Sequence, residues 1–322
     1  MLKQKKLENQ YKMDKYCILS LSGGLDSSTL LLHLLEKGYH VQCLSFDYGQ
    51  KHKVELERAT DLVKYLNQDL IRLDWYQKDG GAAKSFDEKY PKIKHQVIKL
   101  EGLSELLVSG LVDNNSMELK KGHYAHENAL TSVVPNRNAI FASITYAVAL
   151  SVSKKYNTEC KIALGTHMGD FDNKKQSGIY PDCSEEFKQA LEHAFKIGNW
   201  GSDKVDYYAP YNIVDKTGVL KDGIESCKKL ELDYKEIYKR TNTSYAPIWV
   251  KNPWQPNLEE LRSGETGQWV SDYKSGSSIE RIESFIKLGL EDPIQYCEED
   301  GILVSWNFVK NYVEKICFEF KG

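Results

Sequence analysis

Residues 20–28 carry the sequence SLSGGLDSS, and this stretch decides the fold of the chain. It follows an apolar run, Tyr16–Leu21, and precedes a strongly apolar helical stretch, Thr29–Leu35. A short apolar run, a glycine pair and a helix start together predict a strand, a turn and a helix. Adjacent glycines let the backbone approach a ligand closely, and free amides at a helix N-terminus attract phosphate. The stretch therefore predicts a phosphate-binding turn, although a bare glycine pair with a serine cap would indicate an ordinary connection.

Length and composition are those of a soluble protein. The chain has 322 residues, enough for one large domain or two small ones. Charged residues make up 28% and the net charge is −3, which does not support broad nucleic-acid binding. No apolar run could span a membrane and the N-terminus lacks the apolar core of a signal peptide, so we expect a cytoplasmic protein with no membrane association. The seven cysteines are scattered without a CxxC pair, which favours reduced thiols, with Cys17, Cys43 and Cys160 as core residues of strands.

Strands and helices alternate after the first turn. We predict a second strand at His40–Phe46, a helix at Lys51–Leu66 with an apolar stripe, and a third strand at Asp69–Trp75. This alternation predicts an α/β fold with a Rossmann-like, doubly wound parallel sheet. Ligands of such sheets bind beyond the carboxyl ends of the strands, where the turn at 20–28 and the loop after Phe46 both lie.

Residues 76–133 interrupt this pattern, and we interpret them as an insertion that forms a lid or an oligomer contact. After it, the pattern predicts a buried helix at Ala139–Tyr156, a fourth strand at Lys161–Gly165 and a helix at Ser184–Ile197. A last strand at Tyr207–Tyr211 and a helix that Asp215 caps and that ends near Leu230 complete the predicted nucleotide-binding domain.

Three regions follow from this organisation: a polar arm at 1–15, a nucleotide-binding domain at 16–230, and a small, mostly helical region at 231–322. The last region begins with a segment rich in proline and tryptophan, Thr241–Gly267. We predict a short amphipathic helix at Ser278–Leu288 and a strand and helix within Ile302–Phe320.

The SGGxDS string resembles the PP-loop of the ATP-pyrophosphatase superfamily, and we call residues 20–28 the PP-loop. The spacing is too short for the P-loop of kinases, and no Lys-Ser/Thr pair follows. Enzymes of the superfamily hold the β,γ-pyrophosphate of ATP in this loop and activate a carbonyl or carboxylate as an adenylate. The resemblance implies ATP as a substrate, with Mg²⁺. It also implies that the nucleotide contacts Ser22, Gly23, Gly24, Asp26, Ser27, Ser28 and Phe46.

Four further segments are similar to those of the 7-cyano-7-deazaguanine (preQ0) synthases of queuosine biosynthesis. Phe46–His52 resembles their FDYGQRH segment, and Glu55 is placed as in that family. Val134–Asn138 resembles VPxRN, Gly178–Cys183 resembles GYPDC with one extra residue, and Pro210–Lys216 resembles their proline-to-lysine segment. The resemblance covers 16–230 in register and continues weakly to Pro293.

Adenylation of a carboxylate requires cations at the phosphates, and Arg137 and Lys216 are the candidates, with Asp26 as the third catalytic residue. Each has a structural alternative, because Arg137 could form a local ion pair and Lys216 could be a solvated helix residue. Asp26 is the candidate Mg²⁺ ligand, or it orients the loop as a carboxylate at a helix N-terminus.

For the deazaguanine substrate we expect Asp182 to accept two hydrogen bonds from the N–H edge of the ring, although a turn aspartate after proline is an equal alternative. Tyr48 and Tyr180 could stack on a base, or they could be core residues. Gln50 and Asn138 complete the predicted substrate-binding set. His52 is interpreted as a helix-start residue rather than a general base.

The chain departs from the family where that family carries four zinc-binding cysteines. Alignment of the flanking motifs places Ser244, Asp272, Ser275 and Ser278 at those positions, and serine is a poor zinc ligand, so we predict no structural zinc. The basic residue that follows PDC in the family is replaced by Ser184, and the polar loop 169–176 is enlarged. We therefore expect an altered substrate pocket.

The leading hypothesis is an ATP-dependent C–N ligase that adenylates 7-carboxy-7-deazaguanine and forms an amide with an amine. In the resembled family the amine is ammonia, and a second ATP-dependent dehydration turns the amide into the nitrile. The alternative is a specialised enzyme of anti-phage defence, because zinc-less relatives occur in anti-phage operons and some resemble enzymes that join the deazaguanine to a protein amine. A protein acceptor would then be a partner, and in either case we expect a homodimer. Three hypotheses are weaker. They are tRNA thiolation through Cys183, a non-catalytic nucleotide-binding subunit, and glutamine-dependent synthetase chemistry, which requires a glutaminase domain.

Overall fold

Residues 15–51, 53–76, 92–112, 132–167, 171–172, 177–178, 180–251 and 267–321 are described by the computed structural model of the chain. Residues 1–14 of the predicted arm, His52 and residues 252–266 lie outside these ranges. Among the described residues, no helix combines the length and apolarity that crossing a membrane demands.

Helices and strands alternate through most of the chain. The strands are β1 (Lys15–Ser20), β2 (Tyr39–Asp47), β3 (Lys94–Lys99), β4 (Cys160–Leu164), β5 (Phe171–Asp172), β6 (Ser177–Gly178), β7 (Val205–Tyr208), β8 (Ile248–Lys251), β9 (Gly267–Val270), β10 (Tyr296–Cys297) and β11 (Leu303–Val304). The α-helices are α1 (Leu25–Glu36), α2 (Val54–Tyr76), α3 (Leu103–Leu106), α4 (Arg137–Tyr156), α5 (Glu185–Gly198), α6 (Lys216–Lys229), α7 (Tyr234–Tyr238), α8 (Gly276–Lys287) and α9 (Trp306–Lys321). Within the ranges given above, 3₁₀ turns occupy Pro181–Cys183 and Ser202–Lys204.

Five parallel strands form the central sheet in the order β3-β2-β1-β4-β7. Tyr16 of β1 lies opposite His40 of β2 and Cys160 of β4, so the strand order changes direction at β1. The crevice beyond the carboxyl ends of β1 and β4 is the place where such sheets bind ligands. The PP-loop follows β1 directly into this crevice. The predicted doubly wound α/β fold is confirmed.

Both faces of the sheet are covered. Successive strand residues point to opposite faces, so Cys17 and Leu19 pack against α1, α2 and α6, whereas Ile18 packs against α4 and α5. Sheets covered on both sides have strands that are apolar throughout, which explains the continuous apolar run at β1. Cys17, Cys43 and Cys160 are buried free thiols in these strands, as predicted.

The predicted third strand is wrong. Residues 69–75 continue α2, which runs as far as Tyr76. The segment contains no glycine or proline that would end the helix, and Leu66, Leu70 and Leu73 keep the helical spacing. The strand that occupies this place in the sheet is β3, inside the predicted insertion. The predicted insertion therefore contributes a strand to the sheet, at Lys94–Lys99. Residues 77–91 and 113–131 of the insertion lie outside the described residues.

Beyond Leu230 the chain packs against the nucleotide-binding half. Phe285 of α8 belongs to the same core as β1 and α1, and α8 and α9 form a second core around Tyr273 and Val309. Arg281, completely buried, forms a bidentate pair with Asp292, with N–O distances of 2.6 and 2.9 Å. Removal of one partner of a buried ion pair of this kind strongly destabilises the fold. Packing thus crosses residue 230, and the division into domains stays a prediction.

Candidate active site

The backbone of the PP-loop lies directly on helix α2. Gly23 has a φ of +84°, and a Cβ built on it would lie 2.1 Å from the carbonyl oxygen of Glu55 and 2.9 Å from the amide nitrogen of Ala59. A side chain at this position would therefore collide with the backbone of α2, and the positive φ disfavours it as well. The carbonyl of Gly23 accepts a hydrogen bond from the amide of Asn242 at 2.9 Å, so the loop is held from two sides.

Hydroxyl groups fix the turn from within. The Ser22 amide donates to Ser27 Oγ at 3.2 Å, the two serine Oγ atoms are 3.0 Å apart, and the Gly24 amide donates to Ser22 Oγ at 3.2 Å. Gly24 then precedes α1 as its N-cap residue. Ser28 is completely buried behind the loop and does not line the cavity described below.

Lys216 brings an ammonium group to the PP-loop. It is the first residue of α6, its side chain is 6% exposed, and its Nζ lies 2.7 Å from Glu280 Oε2 and 3.5 Å from Asp26 Oδ2. The helix dipole disfavours a cation at the N-terminus of α6, and the two carboxylates offset this effect by stabilising the buried charge. His167 Nε2 lies 3.9 Å from Asp26 Oδ2 and 4.0 Å from Glu280 Oε1. We call these four side chains the PP-loop cluster.

Two members of the PP-loop cluster escaped the sequence analysis. His167 comes three residues after β4, at the ligand-binding edge of the sheet, and that position is a signal that could have identified it. Glu280 lies 64 residues from Lys216 in the middle of an amphipathic helix, where an acidic residue carries no signal.

A cavity of about 190 Å³ opens next to the PP-loop and Lys216. Its walls come from the PP-loop, the end of β2, the start of α4, the end of β4, the 3₁₀ turn at Pro181–Cys183 and residues 242–245. Of the predicted site residues, Gly23 and Ser28 lie outside the lining. The cavity brings together Ser22, Gly24, Asp26, Ser27, Phe46, Tyr48, Gln50, Arg137, Asn138, Tyr180, Asp182 and Lys216.

Arg137 opens helix α4 beneath the cavity. Its Nε donates to Asn138 Oδ1 at 3.4 Å, and Tyr48, Tyr245 and Glu55 interact electrostatically with its guanidinium group. Burial opposes the charge of the guanidinium, but these three neighbours outweigh it and hold the pKa of Arg137 above its usual value. The side chain is therefore a permanent cation in the wall of the cavity.

Aromatic rings and one amide shape the wall at the end of β2. The ring of Phe46 stacks on Phe141, with centroids 4.1 Å apart, and Tyr48 is buried beside them. The amide of Gln50 donates to the carbonyl of Phe46 at 3.1 Å and accepts from the amide of Tyr48 at 3.0 Å. Gln50 thus braces the loop and also lines the cavity, and its contact with a substrate stays a prediction.

Tyr180 and Asp182 stand on the other side of the cavity. The Tyr180 hydroxyl lies 2.9 Å from Ser132 Oγ, so the residues before α4 and the 3₁₀ turn meet there. Ser184, directly after this turn, accepts a hydrogen bond from the amide of Phe187 at 3.1 Å and caps α5. The position that is basic in the resembled family is thus a helix cap in this chain.

A recess of about 30 Å³ continues the main cavity behind Arg137. Glu55, the second residue of α2, lines both spaces, as do Tyr48, Gln50, Arg137 and Tyr245. Burial raises the pKa of the Glu55 carboxyl to about 7, and the positive charge of Arg137 acts against this rise. A carboxyl that titrates near neutral pH inside a cavity is a candidate functional group.

The four positions aligned with zinc-binding cysteines meet in one place. Asp272 Oδ1 accepts hydrogen bonds from the hydroxyls of Ser244, Ser275 and Ser278, and Asp272 Oδ2 accepts from the amides of Lys274 and Ser275. All four side chains are at most 9% exposed. We call Ser244, Asp272, Ser275 and Ser278 the serine–aspartate cluster. It ties the segment that contacts the PP-loop to the start of α8.

Replacement of Asp272 by asparagine should destabilise the fold. The NH₂ group of asparagine would replace one carboxylate oxygen, and it is a donor that would face at least two other donors. Buried donors without an acceptor cost about 1–3 kcal/mol each. We expect the free energy of unfolding to fall by about 3 kcal/mol, measured by urea denaturation. Asp203, which is exposed, provides the control Asp203→Asn, and an equal small effect of both substitutions would contradict the role of the cluster.

One protein family and several known proteins are similar to this chain. Residues 16–251 match the family described as queuosine biosynthesis protein QueC. Two 7-cyano-7-deazaguanine synthases of Colwellia psychrerythraea (strain 34H / ATCC BAA-681) are 30% and 33% identical over 282 and 285 residues, which cover 88% of this chain and 99% and 100% of the relatives. An NMN synthetase structure from Francisella tularensis aligns with 97% of this chain and 93% of its own, at 13% identity and a TM-score of 0.35. The match over most of the length shows that the chain belongs to the queuosine biosynthesis protein QueC family.

Proposed function

We propose that the protein is an ATP-dependent ligase that adenylates the carboxylate of 7-carboxy-7-deazaguanine and transfers the acyl group to an amine. The observation that carries this proposal is the position of Lys216 and Asp26 at the PP-loop, inside the cavity that Tyr180 and Asp182 also line. Membership of a family whose curated relatives are named 7-cyano-7-deazaguanine synthases supports the substrate. Ammonia as the acceptor would give an amide, from which a second ATP-dependent dehydration would give the nitrile.

ATP suits the residues on the ligand side of β1. The PP-loop leads into the N-terminus of helix α1, which would attract the pyrophosphate, and the Lys216 ammonium lies 3.5 Å from Asp26 of this loop. Asp26 Oδ1 is buried without a hydrogen-bond partner among the described residues, so a carboxylate oxygen of the kind that Mg²⁺ prefers is free there. Mg²⁺ bound to ATP would neutralise phosphate charge, and Asp26 is the residue suited to hold it.

The carboxylate substrate suits the opposite wall. Asp182 can accept two hydrogen bonds from the N–H edge of a deazaguanine ring, and the stacked rings of Phe46 and Phe141 offer an apolar surface for a planar base. The Arg137 guanidinium, held charged by its neighbours, is placed to stabilise negative charge that develops on the acyl phosphate.

We also propose that the serine–aspartate cluster does without zinc. Asp272 already receives five hydrogen bonds, and three of the four ligand positions carry hydroxyls, which bind zinc poorly beside thiolates. We expect elemental analysis to find no stoichiometric zinc in the purified protein. A variant with Ser244→Cys, Asp272→Cys, Ser275→Cys and Ser278→Cys should bind about one zinc ion per chain. Stoichiometric zinc in the wild-type protein would contradict the proposal.

A second candidate function is conjugation of the deazaguanine to a protein amine. The observation that favours it is Ser184, which caps α5 where the family carries a basic residue beside the substrate loop. The activation chemistry would be the same, and the acceptor would be a protein rather than ammonia.

Mass spectrometry separates the two candidates. Purified protein is incubated with ATP, Mg²⁺ and 7-carboxy-7-deazaguanine, with ammonium chloride in one reaction and with the proteins encoded by neighbouring genes in another. Free amide or nitrile with AMP supports the biosynthetic ligase, and a deazaguanine mass added to a protein supports conjugation. If no mixture yields AMP, the ligase proposal is wrong.

A further inference from the structure

The recess behind Arg137 is a small, charged extension of the main cavity. Its volume of about 30 Å³ accommodates a molecule of the size of water or ammonia. Tyr48, Glu55, Arg137 and Tyr245 line both spaces, so the recess adjoins the main cavity at these four side chains. Glu55 is the single carboxylate among the described residues that line the recess.

Glu55 differs from the other charged residues that line the site. Lys216 is paired with Glu280, and Arg137 is surrounded by phenols, whereas the Glu55 carboxylate makes no hydrogen bond or direct ion pair within the described part of the chain. A half-buried carboxylate that has the charge of Arg137 nearby but no hydrogen bond is costly, and functional sites are where such groups persist. Its backbone carbonyl packs on Gly23, so the backbone of Glu55 is held against the PP-loop.

We propose that Glu55 is the catalytic base that receives the acceptor amine, with the primary ammonium group bound in the recess between Glu55 and Tyr245. This inference rests on the proposed ligase function and adds the place and the base of its second half-reaction. Ammonia and the amine of a protein share the same ammonium chemistry. The recess volume holds the ammonium group alone, and a longer amine would have to extend from it into the main cavity.

The proton balance of the step assigns a role to the carboxylate. An ammonium group has no lone pair, so Glu55 first takes one proton from it. The nitrogen lone pair then forms the C–N bond at the acyl carbon, and the bond from that carbon to the phosphate oxygen breaks with its electron pair, which releases AMP. A second proton leaves the nitrogen for solvent, since the amide that forms is neutral.

The surroundings of Glu55 set the pH at which it can act. The groups that face it are Arg137 from α4, Tyr48 from the end of β2 and Tyr245 from the segment before β8. Burial raises the pKa of Glu55 to about 7 and Arg137 limits the rise, so the carboxylate becomes available as the pH rises through about 7. A base is most effective when its pKa lies near the working pH.

The test separates the two half-reactions in the full-length protein. Adenylation is followed as exchange of pyrophosphate into ATP that depends on 7-carboxy-7-deazaguanine, and acyl transfer as amide formed with ammonium chloride or methylamine. Glu55→Gln should leave the exchange within about twofold of wild type and lower amide formation by about 10²-fold, the usual contribution of a general base. Glu57→Gln, exposed on the same turn of α2, is the matched control and should change neither.

The pH profile gives a second readout that a structural role would not produce. Wild-type amide formation should rise and then level off around pH 7, whereas in Glu55→Gln it should follow the concentration of free amine well above pH 7. Glu55→Asp, which keeps the charge but moves it back, should retain the inflection with a lower rate. Thermal unfolding of each variant checks that it is folded.

Equal activity of wild type and Glu55→Gln in acyl transfer would overturn the inference, as would an equal loss of exchange and acyl transfer in folded Glu55→Gln. An acyl-transfer defect confined to one of the two amines would overturn the shared ammonium site. Absence of exchange in the wild-type protein would remove the ligase function itself, and that result is distinct from the others.

Discussion

Lys216→Met should lower AMP formation by about 10²–10³-fold, the cost of removing one preorganised charge at a reacting group. The Lys216 ammonium is almost fully buried and lies 2.7 Å from Glu280 and 3.5 Å from Asp26. Without it, two carboxylates face the phosphates of ATP with no cation between them. The substitution would therefore remove the attraction between the ammonium group and the phosphates and leave the repulsion between the carboxylates and the phosphates.

Steady-state assays of AMP release, together with calorimetric titration of ATP, measure this effect. The control is Lys221→Met, on the exposed side of the same helix α6, which should keep wild-type activity. We expect weaker ATP binding in Lys216→Met as well, because the phosphates lose a cation. A folded Lys216→Met protein with wild-type AMP release would contradict the assignment of Lys216 to the phosphate site.

Gly23→Ala should abolish ATP-dependent activity and also destabilise the fold. A Cβ at Gly23 would lie 2.1 Å from the carbonyl oxygen of Glu55, which is backbone and cannot rotate away. The positive φ costs about 1 kcal/mol for alanine, and forced movement of packed backbone adds about 1–3 kcal/mol. The PP-loop or the start of α2 must then shift, and both line the cavity.

Gly38 provides a matched control for the conformational part of this effect. It has a φ of +77°, close to that of Gly23, but a Cβ there meets nothing within 4 Å. Gly38→Ala should therefore lower the free energy of unfolding by about 1 kcal/mol and leave the activity intact. Urea denaturation and AMP release of both variants measure the difference. If Gly23→Ala behaved like Gly38→Ala, the close contact between the PP-loop and α2 would be wrong.

Local patterns predicted most of the fold, because buried strands and helices have apolar runs with clear ends. The predicted bounds of β1, α6 and the strand at Cys160–Leu164 agree with the structure to within one or two residues. The errors concern the edge of the sheet. Strand β3 is largely exposed and has the polar sequence KHQVIK, so no apolar run marks it. The end of α2 was mistaken for a strand because a short apolar run fits either element.

The candidate site was predictable as far as motifs extend. The structure brings most residues of the PP-loop to one cavity with Arg137, Tyr180 and Lys216, which come from separate segments. Contacts that depend on tertiary packing could not be predicted. Glu280 reaches Lys216 from a helix in the C-terminal region, and the use of the Gln50 amide to brace a loop depends on local backbone geometry.

The four residues aligned with zinc-binding cysteines were predictable as a group, but their hydrogen bonds were not. The alignment placed Ser244, Asp272, Ser275 and Ser278 at four related positions, and the structure brings them within hydrogen-bonding distance of one another. The sequence did not indicate that Asp272 would accept from the other three, because that arrangement depends on the backbone between β9 and α8.

The most direct test of the account is exchange of labelled pyrophosphate into ATP by the purified protein. The account predicts exchange that requires both Mg²⁺ and 7-carboxy-7-deazaguanine, without any amine, and that is lost in Lys216→Met but kept in Lys221→Met. The central claim is that this cavity activates the carboxylate as an adenylate. Exchange that does not depend on the deazaguanine would contradict it, and so would the absence of exchange when the deazaguanine is present.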